Sequence, residues 1–203
     1  MKVLATLMFI FSVTAFAQNE MEVAYDVISM YQPEVRQKYG KEIHLSIDQT
    51  DKKPNSFVSE NFNSIEIEVR STSLEAFSDK VVAATICHEV GHVLGVKYKS
   101  EEYYLSGGVG FAVEGEADYF SGKCLMRYLT EKLNLSTYEA QDQALELAKL
   151  RFSVYAKGRI NYQKAATRSC QGIDMDYPDY DCRVLTVARA IRDEARPSCW
   201  YNP

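Results

Sequence analysis

The sequence predicts an α+β fold in which a small β-sheet packs against a bundle of helices within a single domain. Residues 41–48 and 64–70 alternate apolar and polar side chains with a period of two, which is typical of β-strands. Several longer segments place apolar residues three and four positions apart, which indicates amphipathic helices. The 203 residues contain no repeat and no linker that would divide the chain, and a single core suits this length.

Residues 1–17 have the pattern of a secretory signal peptide, and the domain is expected to occupy residues 18–203. The run from Val3 to Phe16 is apolar, and Ala15 with Ala17 forms a small-x-small cleavage site. This run is too short to cross a membrane, which takes roughly 20 apolar residues, and no later run approaches that length. We therefore expect a periplasmic or secreted protein with no integral membrane segment.

Five helices are predicted, and residue types that favour helix ends mark several of their limits. Gly40 follows the first helix, Ser78 is the predicted N-cap of the second, and Gly95 ends it. Ser136 and Glu139 have the spacing of a capping box at the start of the fourth. The predicted helices span about residues 20–38, 78–95, 111–133, 137–156 and 181–194. Turn-rich or irregular segments are expected at residues 49–63 and 158–181.

The distribution of charge excludes one class of partner. The formal net charge is -5, acidic and basic residues are interspersed, and the sequence has no basic stripe. Proteins that bind nucleic acids usually carry such a stripe or patch. We therefore expect no nucleic-acid partner.

Five cysteines in an exported chain predict disulfide bonds, and their odd number leaves one over. Cys87 is the candidate for the free thiol. On a helix it shares an apolar stripe with Val90 and Leu94, turned away from His88, which indicates a buried thiol. The sequence leaves open all three pairings of the other four cysteines. These are Cys124, Cys170, Cys182 and Cys199.

The stretch ICHEVGHVLG, residues 86–95, contains two histidines four positions apart. On the predicted helix, His88 and His92 lie on the same face one turn apart, so both imidazoles can reach one metal ion. Glu89 follows the first histidine directly. Two ligands do not hold a zinc ion, so a third must come from another part of the chain.

Two candidates for the third ligand are weak. A metzincin has a third histidine six positions after the second, but this chain has Tyr98 at that position. His44 is the only other histidine, and a lone histidine in a predicted strand is usually structural. The third ligand is therefore expected to be a carboxylate.

The better candidate is Glu114, in the stretch EGEADYF on the next predicted helix. Asp118 lies four positions later on the same face, where it can orient a ligand histidine. Glu116 lies about 200° around the helix from Glu114 and is expected to be a solvated surface residue. Either motif alone occurs by chance, but their order on consecutive helices about 20 residues apart favours a zinc site.

In these motifs the sequence resembles the HExxH gluzincins, which include HtpX, the CAAX prenyl proteases and the soluble periplasmic protease BepA. Those proteins carry HExxH followed by Glu-x-x-Ala-Asp, which matches Glu114, Ala117 and Asp118 here. The membrane helices of HtpX and the prenyl proteases have no counterpart in this sequence, so the likeness is to the soluble branch. The resemblance covers about residues 20–195 and implies a zincin-like fold.

Two weaker matches extend this resemblance. Residues 55–58, Asn-Ser-Phe-Val, correspond to an Asn-Ala-Phe-Ala-like segment that precedes an edge strand in the family. The strand 64–70 is therefore expected to bind an extended peptide at a sheet edge, and the alternative is an ordinary core strand. The family also has a His-Pro pair with an arginine five residues after the proline, and Tyr177, Pro178 and Arg183 have that spacing here.

The resemblance implies an exported zinc endopeptidase that acts on polypeptide substrates. One zinc ion per chain is expected on His88, His92 and Glu114, with the fourth position left to water as in catalytic zinc sites. Glu89 is the expected general base for this water. The alternatives are a non-catalytic or chaperone-like envelope interaction protein that keeps a zinc site, and a zinc hydrolase of a non-peptide substrate.

Three further features are expected to border this site. Tyr177 replaces the family's histidine and offers a neutral O–H donor for the negative charge that develops on the carbonyl oxygen. Arg183 is the competing donor, or it braces the Glu114 carboxylate. The loop 97–110 joins the two ligand helices and contains three glycines, so it is expected to be a mobile lid or a plain surface loop.

Overall fold

The computed structural model describes residues 2–48, 55–70, 79–96, 111–153, 156, 160–167 and 178–200. Within these residues the chain has the predicted α+β composition. The helices are α1 (Lys2–Tyr39), α2 (Asp79–Leu94), α3 (Glu114–Glu131), α4 (Thr137–Ser153), α5 (Tyr162–Ala165) and α6 (Tyr180–Ile191). The strands are β1 (Glu42–Asp48), β2 (Ser56–Glu60) and β3 (Ser64–Arg70). In the part of the chain described here, no helix combines the length and apolar character that crossing a membrane requires.

The three described strands form one sheet in the order β1-β3-β2. β3 pairs in parallel with β1 and in antiparallel with β2, so it is the central strand. The expectation that residues 64–70 form an edge strand is therefore wrong. Alternation of apolar and polar residues reports that one face of a strand is buried, but it does not report which strands lie beside it. β2 lies at the edge among these strands. It falls within a segment that was expected to be turn-rich. The sequence did not indicate this strand because its residues are all half-buried and show no alternating burial.

The helices agree with the predicted segments, with two differences. α1 extends back to Lys2, and the cleavage predicted after residue 17 stays a prediction. The short helix α5 lies in the region 158–181 that was expected to be irregular. The capping box at the start of α4 is confirmed, because the Ser136 N–H donates to Glu139 Oε2 at 3.0 Å and the Glu139 N–H donates to Ser136 Oγ at 3.3 Å. The predicted N-cap Ser78 lies outside the described residues.

The helix that carries the HEVGH stretch lies in the centre of the molecule. Every residue of α2 from 81 to 91 is buried, and the helix packs against α1, α3, α4 and β2. Gly91 is the point of closest approach to α3, because a Cβ atom there would lie 2.5 Å from the Ala117 carbonyl oxygen. A residue without a side chain is therefore required in the middle of HEVGH for α2 and α3 to pack at this distance.

Two disulfide bonds join described residues, and they correct the prediction for Cys87. Cys87 pairs with Cys124, which links α2 to α3, and Cys182 pairs with Cys199. The expected burial of Cys87 is confirmed, because both it and Cys124 are fully buried. The expectation of a free thiol is wrong because α3 presents a second cysteine to the same apolar stripe, and a helical pattern does not reveal what faces it. Cys170 lies outside the described residues.

Candidate metal centre

Three predicted ligands come together where α2 meets the first turn of α3. His88 Nε2 lies 3.1 Å from His92 Nε2 and 3.2 Å from Glu114 Oε2, and His92 Nε2 lies 3.6 Å from Glu114 Oε1. Donor atoms at zinc-ligand distance in a tetrahedral site lie about 3.3 Å apart. The three residues therefore form a donor group whose spacing is compatible with one metal ion. Among the described residues this is the group of His, Cys, Asp and Glu side chains that could hold a metal ion.

The ring of each ligand histidine is oriented through its other nitrogen. His88 Nδ1 lies 2.8 Å from Asp118 Oδ1, and His92 Nδ1 lies 2.7 Å from the Ala112 carbonyl oxygen. His92 Nδ1 donates a hydrogen bond to the Ala112 carbonyl, and His88 Nδ1 lies at ion-pair distance from Asp118. A partner at Nδ1 orients the ring and turns Nε2 towards the ligand group. The Ala112 N–H also donates to the His92 carbonyl oxygen at 2.7 Å, so the chain entering α3 is joined to α2 at this point.

Arg183 joins the carboxylates of Glu114 and Asp118. Its Nε donates to Asp118 Oδ2 at 2.6 Å, and its Nη2 donates to Glu114 Oε2 at 2.6 Å and to Asp118 Oδ1 at 3.1 Å. This is the bracing contact with Glu114 that was one of the two expectations for Arg183. Arg151, from α4, brings a second guanidinium to 3.6 Å from Asp118 Oδ1. Two buried cations thus offset two carboxylates beside the ligand group.

These neighbours decide the charge states of the group. Burial opposes the ionised form of Asp118, but the Arg183 guanidinium and His88 outweigh it and hold the pKa of this carboxyl below its usual value. Burial opposes ionised Glu114 as well, but His88 and Arg183 lower its pKa strongly. Burial and the neighbouring His88 lower the pKa of His92, whereas the Asp118 and Glu114 carboxylates overcome burial and raise the pKa of His88. Ionised Glu114 and neutral His92 are the forms in which these groups bind a metal ion.

Glu89 is held by a residue of the sheet. Its side chain is buried, and Oε1 accepts a hydrogen bond of 2.7 Å from the hydroxyl of Ser56, the first residue of β2. The sequence indicates Ser56 only as part of a segment resembling the family, and it does not reveal this contact. No local pattern could reveal it, because the two residues are 33 positions apart and belong to different elements.

Glu116 corrects one expectation about α3. The helix does direct Glu116 away from the ligand group, as predicted, but its side chain is buried rather than solvated. Arg196 binds both of its carboxylate oxygens, with 2.9 Å between Nη2 and Oε2. The prediction of a solvated residue was wrong because the chain near residue 196 covers this side of α3. That contact spans 80 positions, so the pattern of the helix alone does not contain it.

The remaining candidates lie elsewhere. The side chain of His44 is exposed in β1, with Nδ1 3.3 Å from Glu66 Oε1, and it does not belong to the ligand group. Tyr177 and the loop 97–110 lie outside the described residues, so their roles stay predictions.

Comparison of the chain with protein-family models, with curated proteins and with solved structures found no match. Over the described residues the chain has an α+β fold, two disulfide bonds and a His-His-Glu group that could hold a metal ion.

Proposed function

We propose that the protein is an exported zinc-dependent endopeptidase that hydrolyses peptide bonds in envelope or extracellular proteins. The observation that carries this proposal is that two acidic residues of the site have different partners. Glu114 lies with two histidines at zinc-ligand spacing, whereas Glu89, directly after His88, is hydrogen-bonded to Ser56 instead. A catalytic zinc site uses three protein ligands, and it also needs a general base that is not a ligand.

The chain's own residues have distinct tasks in this proposal. Zinc, when bound, supplies a Lewis acid that polarises the scissile carbonyl and makes water more acidic. Glu89 takes a proton from the attacking water and transfers it to the leaving amine. Asp118 and the Ala112 carbonyl hold the two imidazoles with Nε2 towards the ligand group. Arg183 keeps the Glu114 carboxylate ionised and in place.

Export is supported by the cysteines as well as by the signal-like start of the chain. Disulfide bonds persist in the periplasm and outside the cell, whereas thiols stay reduced in the cytosol of most organisms. Both described bridges are buried and connect elements of the site, because Cys87 precedes His88 and Cys182 precedes Arg183. An oxidising compartment therefore suits this molecule.

Replacing Glu89 tests the proposal directly. Glu89→Gln should bind zinc like the wild type, because the residue is not a ligand. It should lower the rate of cleavage of an unfolded casein by about 10²–10⁴-fold, the usual contribution of a general base. The measurements are zinc content by elemental analysis and casein cleavage with and without a chelator.

The control is Glu146→Gln, which removes a carboxylate on the exposed face of α4 that pairs with Lys149. This variant should keep both zinc and activity. Wild-type protein that binds zinc but leaves casein intact at every pH would contradict the peptidase proposal and favour the non-catalytic interaction protein. An active Glu89→Gln variant would refute the role of the base.

A further inference from the structure

The C-terminal segment, residues 193–200, lies along one face of the ligand helix α3. Four of its residues contact α3. The segment runs antiparallel to the helix, so later residues of the segment meet earlier residues of the helix. The contacts are Asp193 with Lys123, the Glu194 carbonyl with the Tyr119 hydroxyl, Arg196 with Glu116, and Trp200 with Gly115. The last two reach the first turn of α3, directly beside Glu114.

The first turn of α3 has no capping side chain of its own. Its N-cap is Val113, which has an extended backbone and no side-chain hydrogen bond to the helix. A helix start without a capping side chain is less stable than a capped one, because it satisfies fewer of the backbone N–H groups at the end of the helix. Glu114 is the first residue of this helix, so contacts from outside the helix, such as that of Arg183, hold the candidate ligand in place.

Trp200 fixes the distance between this turn and α6. Its ring is almost fully buried, and a Cβ atom at Gly115 would collide with it. Its Nε1 donates to Thr186 Oγ1 at 2.9 Å, so the ring lies between α3 and α6. Arg183 is one turn before Thr186 on α6 and binds Glu114. The indole therefore packs between the first turn of α3 and the helix that carries Arg183.

Arg196 secures the same turn by charge. It pairs with Glu116, which is 1% exposed, and its guanidinium carbon lies 4.4 Å from the centre of the Tyr119 ring. A buried carboxylate that loses its cation is strongly unfavourable, so Glu116 holds residue 196 against α3. The segment is also attached covalently, because the Cys182–Cys199 disulfide joins its end to α6 beside Arg183.

We propose that Arg196 and Trp200 are positioning residues of the metal centre. The C-terminal segment, held by the Cys182–Cys199 disulfide, fixes the first turn of α3 and thereby keeps Glu114 at ligand distance from His88 and His92. This inference rests on the proposed zinc site, and it adds a segment that contains no ligand and lies beyond the HExxH and Glu-x-x-Ala-Asp motifs.

Zinc affinity tests this role without any assay of catalysis. Arg196→Met keeps the apolar stem and removes the charge, and we expect it to raise the dissociation constant for zinc by up to about 10-fold. This is the lower end of the range for losing a direct contact to a ligand, because Arg196 acts on Glu114 only through the first turn of α3. Arg196→Lys should recover part of the affinity. Arg36→Met, which removes an exposed ion pair with Glu42, is the matched control and should bind zinc normally. Dissociation constants are measured by competition with a chromogenic chelator.

Two further variants keep the test decisive if Arg196→Met does not fold. Trp200→Phe keeps an aromatic ring and loses the bond to Thr186, and Cys182→Ser/Cys199→Ser releases the end of the segment. Both should weaken zinc binding of the folded protein. Urea unfolding with chelator present gives their stability separately, because a purely structural role would lower stability and leave the zinc dissociation constant unchanged.

Trp200 also provides a direct signal, because it is the only tryptophan in the chain. If the segment and the metal support each other, zinc should reduce quenching of its fluorescence by acrylamide, since coupling between two sites is reciprocal. Folded variants with wild-type zinc affinity and unchanged quenching would overturn the inference and leave the zinc site intact. Wild-type protein that binds no zinc would overturn the proposed function and this inference together.

Discussion

Asp118 contacts three ionisable side chains beside the ligand group. It is fully buried, lies 2.8 Å from His88 Nδ1, accepts two hydrogen bonds from Arg183 and faces Arg151. Both guanidinium carbons also lie within 5 Å of the Phe152 ring centre, at 4.8 Å for Arg151 and 4.9 Å for Arg183. The negative charge of Asp118 therefore orients a ligand and compensates two buried cations at once.

Removing that charge should weaken zinc binding without abolishing it. Asp118→Asn keeps the shape of the side chain, but it leaves two guanidinium groups beside a neutral amide and loses the carboxylate that orients His88. We expect zinc affinity to fall by about 10–100-fold. Isothermal titration with a competing chelator measures the change. Asp142→Asn, on the exposed face of α4, is the control, and an Asp118→Asn protein that matches it would contradict this role.

At the scale of residues, the sequence predicts the pairs within each motif and the meeting of the two motifs, but it misses contacts that residues outside the motifs make. His88 with His92 and Glu114 with Asp118 are four positions apart, so helix periodicity alone places each pair on one face. Other contacts of the site have no such pattern, because they join residues that are 20 or more positions apart or use the backbone. They are Ser56 with Glu89, Ala112 with His92, and Arg151 with Asp118.

At the scale of elements, the distance between α2 and α3 decides whether the three ligands meet. Gly91→Ala would place a methyl group 2.5 Å from the Ala117 carbonyl oxygen and must push the helices apart. Inserting a methyl group into such a contact usually costs about 1–3 kcal/mol of stability. We expect a comparable loss in urea unfolding and also a weaker zinc affinity, because His88 and His92 move away from Glu114.

A second glycine provides the control for this prediction. Gly40 ends α1 with a φ of +68°, and a Cβ atom there would meet no atom within 4 Å. Gly40→Ala should therefore lose about 1–2 kcal/mol from backbone strain alone. Its zinc affinity should stay that of the wild type. Equal zinc affinities for the two variants would show that the spacing of α2 and α3 does not set the ligand geometry.

The elements themselves were largely predictable, whereas their neighbours were not. The α+β class, both alternating strands, the five longer helices and the capping box of α4 follow from periodicity and end signals within about 20 residues of sequence. The central position of β3, the partner of Cys87 and the burial of Glu116 depend on which segment lies alongside. Those three predictions failed because tertiary packing chooses among arrangements that local patterns leave equivalent.

At the scale of the whole molecule, the two disulfides differ in the length of chain that they close. Cys87 and Cys124 are 37 positions apart, and Cys182 and Cys199 are 17 apart. The chain-entropy model assigns about 4 kcal/mol to the longer loop and about 3 kcal/mol to the shorter. Cys87→Ala/Cys124→Ala should therefore be less stable in urea than Cys182→Ala/Cys199→Ala. The reverse order would show that native packing, rather than loop closure, dominates their contributions.

Each bridge begins one residue before a residue of the metal centre, because Cys87 precedes His88 and Cys182 precedes Arg183. Reducing the bridges should therefore weaken zinc binding, and removing zinc with a chelator should make the bridges easier to reduce. Zinc that binds only the folded protein lowers the population of opened forms in which the buried bridges are accessible, so it should slow their reduction. Thiol release by a phosphine reductant should be slower in the zinc-loaded protein than in the chelated protein. Equal rates would mean that sulfur and metal chemistry are independent in this molecule.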